Sequence, residues 1–324
     1  MSPPYVIVVE YNTDVASFYD CSESEQRIGK RYRLIRKLGE GSFGKVFLGT
    51  DVTSGESVAI KIEDTEITHP YLHEEEKVYR ILEGGEGFPT VRWSGKDGSY
   101  NFLVTDLLGP SLYDYYHLCK KHFTLKTILL IADQLIRRLE YIHSAGFIHR
   151  DVKPENFLVG HGNKSDVIYS IDFGLSKLYR NQNNEHVPYK NKTRFAGTTR
   201  YASINTLLGI QQSRRDDMES FGYVLMYFLL RKLPWQKLNI KNKHKKRKKV
   251  LQLKQSSRID DMIKGYPQEF AIYLKRCRSL RFEEKPDYYN LRLLFRNLLH
   301  RQNLTSDNTF DWQDANGRCK NTIV

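Results

Sequence analysis

From Tyr32 onward the apolar positions fall in short alternating runs, YRLIRKL, KVFLGT, SVAIKIE and later YNFLVTDLL, separated by turn residues such as TSGE and KDGS. A period of two between turns predicts an antiparallel sheet. One stretch breaks it: PYLHEEEKVYRILE, at about 70–83, sets Leu72, Val78, Ile81 and Leu82 at helical spacing behind a Pro, which predicts a single helix. Beyond residue 110 the period is mainly helical. LKTILLIADQLIRRLEYIHSAG ends in Gly, and the second such run, DDMESFGYVLMYFLLRK, predicts a helix over 216–230. The pattern therefore predicts an α+β chain with a strand-rich N-terminal lobe over about 29–105 and a larger helical lobe over about 109–315. Residues 1–28 show no helical period and read as an extension, and 316–324 as a short tail. There is no internal repeat, and the one biased segment is KNKHKKRKKV at 241–250, seven of whose ten residues are Lys or Arg. It reads as an exposed basic loop.

Composition narrows the function classes. The 324 residues are 40% hydrophobic and 12% aromatic, enough to bury a sizeable core. The formal net charge of +13 favours polyanions or acidic polypeptides as partners. Cys21, Cys119, Cys277 and Cys319 lie far apart without a C-x-x-C pair, a pattern that fits a reduced intracellular compartment. No signal peptide or membrane-spanning run is expected, since YVLMYFLL is far too short. Neither the myristoyl nor the prenyl signal is present.

Four motifs carry candidate chemistry. GEGSFGKV at 39–46 has the G-x-G-x-x-G-x-V spacing. A dinucleotide fingerprint with this spacing opens a helix; this one runs into a strand, which favours a glycine flap over nucleotide phosphates. VAIK at 58–61 puts Lys61 on the next strand, where its ammonium could reach α- and β-phosphates. On the helix that follows, Glu74, Glu75 and Glu76 could each pair with it. In HRDVKPENF at 149–157, Asp151 could accept a proton from a substrate hydroxyl, Lys153 could neutralise charge on the moving phosphoryl group, and Asn156 could hold a metal. IDFGL at 171–175 supplies a second aspartate, Asp172, suited to a Mg²⁺ ion bridging phosphates. In this order the four form a protein-kinase constellation.

A more particular likeness follows from GTTRYASINTLLGIQQSRRDDMESFGYVLMY at 197–227, where Ser-Ile-Asn stands in place of the usual Ala-Pro-Glu and SRRDD follows. With LLGPSL at 107–112, RCRSLRFEEKPDY at 276–288 and FDW at 310–312, the chain from about 32 to 312 resembles the casein kinase I family of Ser/Thr protein kinases. The resemblance implies a two-lobed kinase fold with ATP and Mg²⁺. Its ATP flap would be Leu38, Gly39, Glu40, Gly41, Ser42, Phe43, Gly44, Lys45 and Val46. Family spacing selects Glu75 as the partner of Lys61, makes Asp106 and Leu108 the hinge residues that receive adenine, and makes Thr105 the gatekeeper. Asp151 becomes the base, with Asn156 and Asp172 as metal ligands. Thr198 would steady Asp151 and Lys153, and Asp217 would buttress the catalytic loop. An anion pocket for a substrate phosphate would comprise Arg200, Lys237 and Lys246, with Lys237 where the family usually has Gly.

The expected activity is transfer of the ATP γ-phosphoryl group to Ser or Thr of acidic or already phosphorylated proteins. The rival classes are a pseudokinase scaffold, disfavoured because every catalytic position is filled, and a basic nucleic-acid-associated protein. No base-stacking aromatic motif accompanies the basic run, so no specific nucleic acid is expected. A monomer without a membrane anchor, shared between nucleus and cytoplasm, is expected, the lysine cluster having the form of an import signal.

Overall fold

The computed structural model describes residues 27–41, 44–66 and 70–313. The expectations for 1–26, for 314–324 and for the flap tip at Ser42 and Phe43 lie outside the described residues. Five strands, β1 (Tyr32–Gly41), β2 (Gly44–Asp51), β3 (Ser57–Asp64), β4 (Val91–Asp97) and β5 (Tyr100–Asp106), form an antiparallel sheet in the order β1-β2-β3-β5-β4. Alternation sorts its two faces. Val58, Ile60, Phe102 and Val104 pack on one side with Ile28 and Tyr32, while Val91 and Leu103 join the main core that also takes in helix α1 (Leu72–Leu82).

Three details depart from the sequence pattern. Strand β4 was not expected, because in VRWSGKD only Val91 is buried and no apolar alternation marks it. Ile28, assigned to the extension, is buried and pairs with Tyr32. On α1 the buried stripe is Leu72, Glu75, Val78, Tyr79 and Leu82, while Ile81 is exposed.

The second lobe contains α2 (Leu112–Leu118), α3 (Leu125–Ser144), the short strands β6 (Phe147–Ile148), β7 (Phe157–Val159), β8 (Ile168–Ser170) and β9 (Lys177–Leu178), then α4 (Ile204–Leu207), α5 (Arg214–Leu230), α6 (Lys243–Ser256), α7 (Ile259–Met262), α8 (Glu269–Ser279) and α9 (Tyr288–Arg301). Helix α5 is buried on almost every side, so it serves as the axis of the lobe. Its first turn is fixed by the Asp216 carboxylate, which accepts from the Ser213 N–H at 2.7 Å. The core runs unbroken from α1 through α3 and α5 to α9, which joins the lobes along the back of the cleft.

The basic run is a helix rather than a loop. Asn242 caps α6 by accepting from the Lys245 N–H at 2.9 Å, and only Val250 and Lys254, four residues apart, are buried. The anchoring stripe occupies the second half of the helix, leaving the cationic first half exposed. Among the described residues no helix is long and apolar enough to cross a membrane.

Candidate active site

The β1–β2 hairpin carries the glycine-rich segment. Gly39 pairs with Val46, Glu40 with Lys45 and Gly41 with Gly44. A Cβ at Gly39 or Gly41 would meet nothing within 4 Å, so the strand backbone there is open to an approaching group. Gly44 is different: φ is +128° and a Cβ would stand 2.4 Å from the Ile62 carbonyl oxygen, so only glycine fits. Leu38 ends the apolar part of β1.

Lys61 lies on β3 opposite Leu103 of β5. Its Nζ donates to Glu75 Oε2 at 2.5 Å and to Asp172 Oδ1 at 3.1 Å. Of the three glutamates, Glu75 is the one on the buried face of α1; Glu74 pairs with Lys77, and Glu76 with Arg80 and Ser94. Burial works against the Lys61 ammonium, yet Glu75 and Asp172 outweigh it and hold its pKa above the ordinary lysine value. Burial likewise opposes the Asp172 carboxylate, and Lys61 holds that pKa below the ordinary range. Glu75 is pushed the other way: burial raises its pKa above the ordinary glutamate value, and Lys61 offsets only part of that rise.

Asp172 follows β8 in a left-handed conformation, φ 63°. Its N–H donates to the Tyr79 hydroxyl at 3.0 Å, and the ring of Phe173 meets Tyr79 edge-on at 4.9 Å and His149 at 5.3 Å. Tyr79 sits one helical turn beyond Glu75, so one face of α1 directs both the ion pair and the backbone of Asp172. Tyr79 was not among the candidate residues, although its i+4 spacing from Glu75 is legible.

The catalytic loop is held from below by α5. Asp217 accepts from the backbone N–H groups of His149 at 2.7 Å and Arg150 at 2.9 Å, and from His143 Nε2 at 2.9 Å. Burial lowers the His143 pKa, so the ring is neutral; with Nε2–H donating to Asp217, Nδ1 accepts from the Tyr288 hydroxyl at 2.6 Å. Asp151 then stands at the head of the loop with both oxygens engaged. Thr198 Oγ1 donates to Oδ1 at 2.7 Å and Lys153 Nζ to Oδ2 at 2.6 Å. Asn156 Nδ2 donates to the Asp151 carbonyl at 3.0 Å, which turns its amide and leaves Oδ1 without a donor among the described residues. The approach of the 197–203 segment depends on Gly197, where φ is +106° and a Cβ would lie 2.4 Å from the Arg150 carbonyl oxygen.

At the hinge, the Asp106 side chain accepts from Arg92 Nε at 2.6 Å and the Thr90 N–H at 3.0 Å. The Leu108 N–H has no hydrogen-bond partner among the described residues, and Thr105 is half-buried opposite Ala59.

The anion-site candidates stand on three segments. The Arg200 guanidinium lies 5.7 Å over Tyr201 and 6.0 Å over Tyr227, with no carboxylate in ion-pair contact among the described residues. Trp235 Nε1 donates to the Arg200 carbonyl at 2.8 Å, bringing the loop that carries exposed Lys237 alongside. Lys237 is left-handed, φ 56°, a conformation that suits glycine better. Lys246 is exposed on α6, and its neighbour Arg247 covers the Phe195 ring at 4.8 Å. No contact joins the three cations.

These side chains can hold a nucleotide and a divalent cation. The open strand backbone at Gly39 and Gly41, the unpaired Leu108 N–H and the Lys61 ammonium fit phosphates and an adenine edge. Asp172 and Asn156 offer hard oxygen donors. Among the described residues no cluster of three or more His, Cys, Asp or Glu could cage a metal, and a cation shared with phosphate oxygens needs no such cage. Residues 32–302 match the family model of the protein kinase domain, and the chain belongs to that family. Its activity is that of a protein kinase, which in general uses ATP and a divalent metal.

Proposed function

We propose that the protein is a Ser/Thr kinase of casein kinase I type that moves the γ-phosphoryl group of Mg²⁺-bound ATP onto acidic or already phosphorylated proteins. The observation that carries the subfamily reading is Arg200. It is a half-buried guanidinium with no carboxylate in ion-pair contact among the described residues, Glu155 acting on it only at longer range, and it lies three residues after Gly197, in the segment whose Thr198 touches Asp151. A guanidinium so placed suits a phosphate or carboxylate on the bound substrate. Exposed Lys237 and Lys246 strengthen the field on the same side.

In this reading Lys61, aimed by Glu75, holds the nucleotide phosphates, and Asp172 and Asn156 hold the metal. The bound nucleotide supplies the phosphoryl group and the metal neutralises its charge. Asp151 orients the substrate hydroxyl and receives its proton, and Lys153 offsets the negative charge that develops beside it. The Arg150 side chain donates Nε to the Leu175 carbonyl at 2.5 Å, and Lys61, Glu75 and Phe173 are already assembled. Both features support activity without a phosphate on the activation segment.

The test compares a serine peptide carrying phosphoserine three residues before the target with its unphosphorylated twin. Charge-assisted contacts of about 1.5–3 kcal/mol correspond to a roughly ten- to hundredfold preference. That preference should vanish in Arg200→Ala/Lys246→Ala with the KM for ATP retained. Equal kcat/KM for the two peptides with the unmutated enzyme would remove the phosphate-directed reading.

A further inference from the structure

Helix α6 is anchored by a lysine. Lys254 is wholly buried, and among the described residues no carboxylate lies within ion-pair distance of it. Its Nζ donates to the Ala202 carbonyl at 2.5 Å and the Arg200 carbonyl at 3.2 Å, and stands 3.9 Å from the centre of the Tyr223 ring and 4.8 Å from that of Trp235. Arg200 O is thus held twice, since Trp235 Nε1 also donates to it. A methionine of similar length would fill this space without stripping water from an ammonium. What methionine cannot do is donate to two carbonyls at once.

Those carbonyls belong to a tight turn. The N–H groups of Tyr201 and Ala202 both donate to the Thr198 carbonyl at 3.0 Å, so the turn's donors point inward and its acceptors face α6. One end is tied to the catalytic loop through Thr198 and Asp151. The other is tied to α5 through Ser203 Oγ, which donates to Asp216 Oδ1 at 2.5 Å. The middle of the turn, which bears Arg200, is held through Lys254 and Trp235.

We propose that Lys254 is a positioning residue for the protein substrate: by holding the Arg200 and Ala202 carbonyls it fixes the turn that presents the substrate hydroxyl to Asp151. This rests on the reading above that 198–203 faces the substrate. It adds that substrate affinity depends on a buried side chain of the same helix that exposes the basic run.

The experiment uses the full chain, with dephosphorylated casein and ATP as probes, and Lys254→Met, Lys254→Gln and Trp235→Phe as variants. Lys254→Met should raise the KM for casein roughly tenfold or more, since both hydrogen bonds donated to the turn are lost, while the KM for ATP stays within about twofold. Lys254→Gln, which retains two N–H donors, should recover part of the loss. Amide exchange should accelerate over 198–204 and not over 149–156, and Trp235→Phe should show the same local pattern more weakly. An unchanged KM for casein in Lys254→Met overturns the proposal, as does exchange that accelerates equally throughout the chain. If Lys254→Met does not fold, Trp235→Phe and Lys254→Gln decide, and unaltered exchange at 198–204 in both overturns it. Failure of the unmutated enzyme to phosphorylate casein would strike the subfamily reading instead. The exchange arm then still decides whether Lys254 holds the turn.

Discussion

Replacing Lys61 separates what the ion pair does for folding from what it does for turnover. The Lys61 side chain is 15% exposed and that of Glu75 only 2%, so Lys61→Met strands a buried carboxylate. Removing one partner of a buried pair costs about 3–5 kcal/mol, a large share of the roughly 5–15 kcal/mol that holds a domain folded. The variant should therefore be inactive and also clearly destabilised, because Lys61 serves both the phosphates and the buried carboxylate. Adding Glu75→Gln removes the stranded charge and should restore about half of the lost stability without restoring any activity. The pH dependence has a definite sign. Burial already raises the Glu75 pKa and Lys61 offsets part of that rise; without Lys61 the rise is larger, so the folded state is favoured at low pH and loses stability as pH rises through that wider window, by about 1.4 kcal/mol per unit. The deficit of Lys61→Met relative to the unmutated protein should thus shrink from about pH 8 to about pH 5, and Lys61→Met/Glu75→Gln should not show this trend. Urea unfolding followed by tryptophan fluorescence and circular dichroism reads the stability, and labelled phosphate transfer at saturating ATP reads the activity. A Lys61→Met protein within about 1 kcal/mol of the parent, or a double variant less stable than the single one, would refute the buried-pair argument.

Other consequences follow from single contacts. Gly197→Ala combines a left-handed φ with a Cβ 2.4 Å from the Arg150 carbonyl oxygen; kcat/KM should fall by about 100-fold or more, because Thr198 and Asp151 move apart, and a near-normal rate would show that the segment adapts. Protein made in bacteria and stripped by phosphatase should retain its rate, since the Arg150 Nε is already bonded to Leu175; dependence on an added kinase contradicts this. Lys237→Gly should raise stability by about 0.5–1 kcal/mol in thermal unfolding by relieving the left-handed backbone, and a fall would mean that the Lys237 side chain makes a stabilising contact. If the exposed cations of α6 form an import signal, replacing 245–249 by Ser should shift a tagged protein toward the cytoplasm, and an unchanged distribution contradicts that role.

Much of the site was legible because kinase chemistry is written in short segments whose local spacing is its geometry. The loop at 149–157 places Asp151, Lys153 and Asn156 by chain connectivity alone, and Glu75 could have been chosen without any family likeness. Leu72, Glu75, Tyr79 and Leu82 fall at intervals of three and four, so Glu75 shares the buried face. Other features depend on distant segments. Strand β4 is held mainly by its ladder with β5 and has little apolar signal of its own. The helical state of the basic run rests on an Asn cap, on the burial of Val250 in the core, and on Lys254 held by the 200–202 turn and its aromatic neighbours. Like charges at i+3 and i+4 spacing argue against that helix locally, and tertiary contact overrides them. Nothing in the sequence marks Lys254 apart from the other lysines of its helix, because its partners are backbone carbonyls some fifty residues away.

The central claim is that Asp151, steadied by Thr198 and Lys153, receives the proton of a Ser or Thr hydroxyl during phosphoryl transfer. The most direct measurement is the rate of phosphate incorporation into casein, with the modified residues identified by mass spectrometry, for the unmutated protein and for Asp151→Asn. The account predicts phosphoserine or phosphothreonine from the unmutated protein and a loss of at least about 100-fold in kcat for Asp151→Asn, with the KM for ATP little changed. Incorporation that persists in Asp151→Asn at a comparable rate, or that falls on tyrosine, would contradict it.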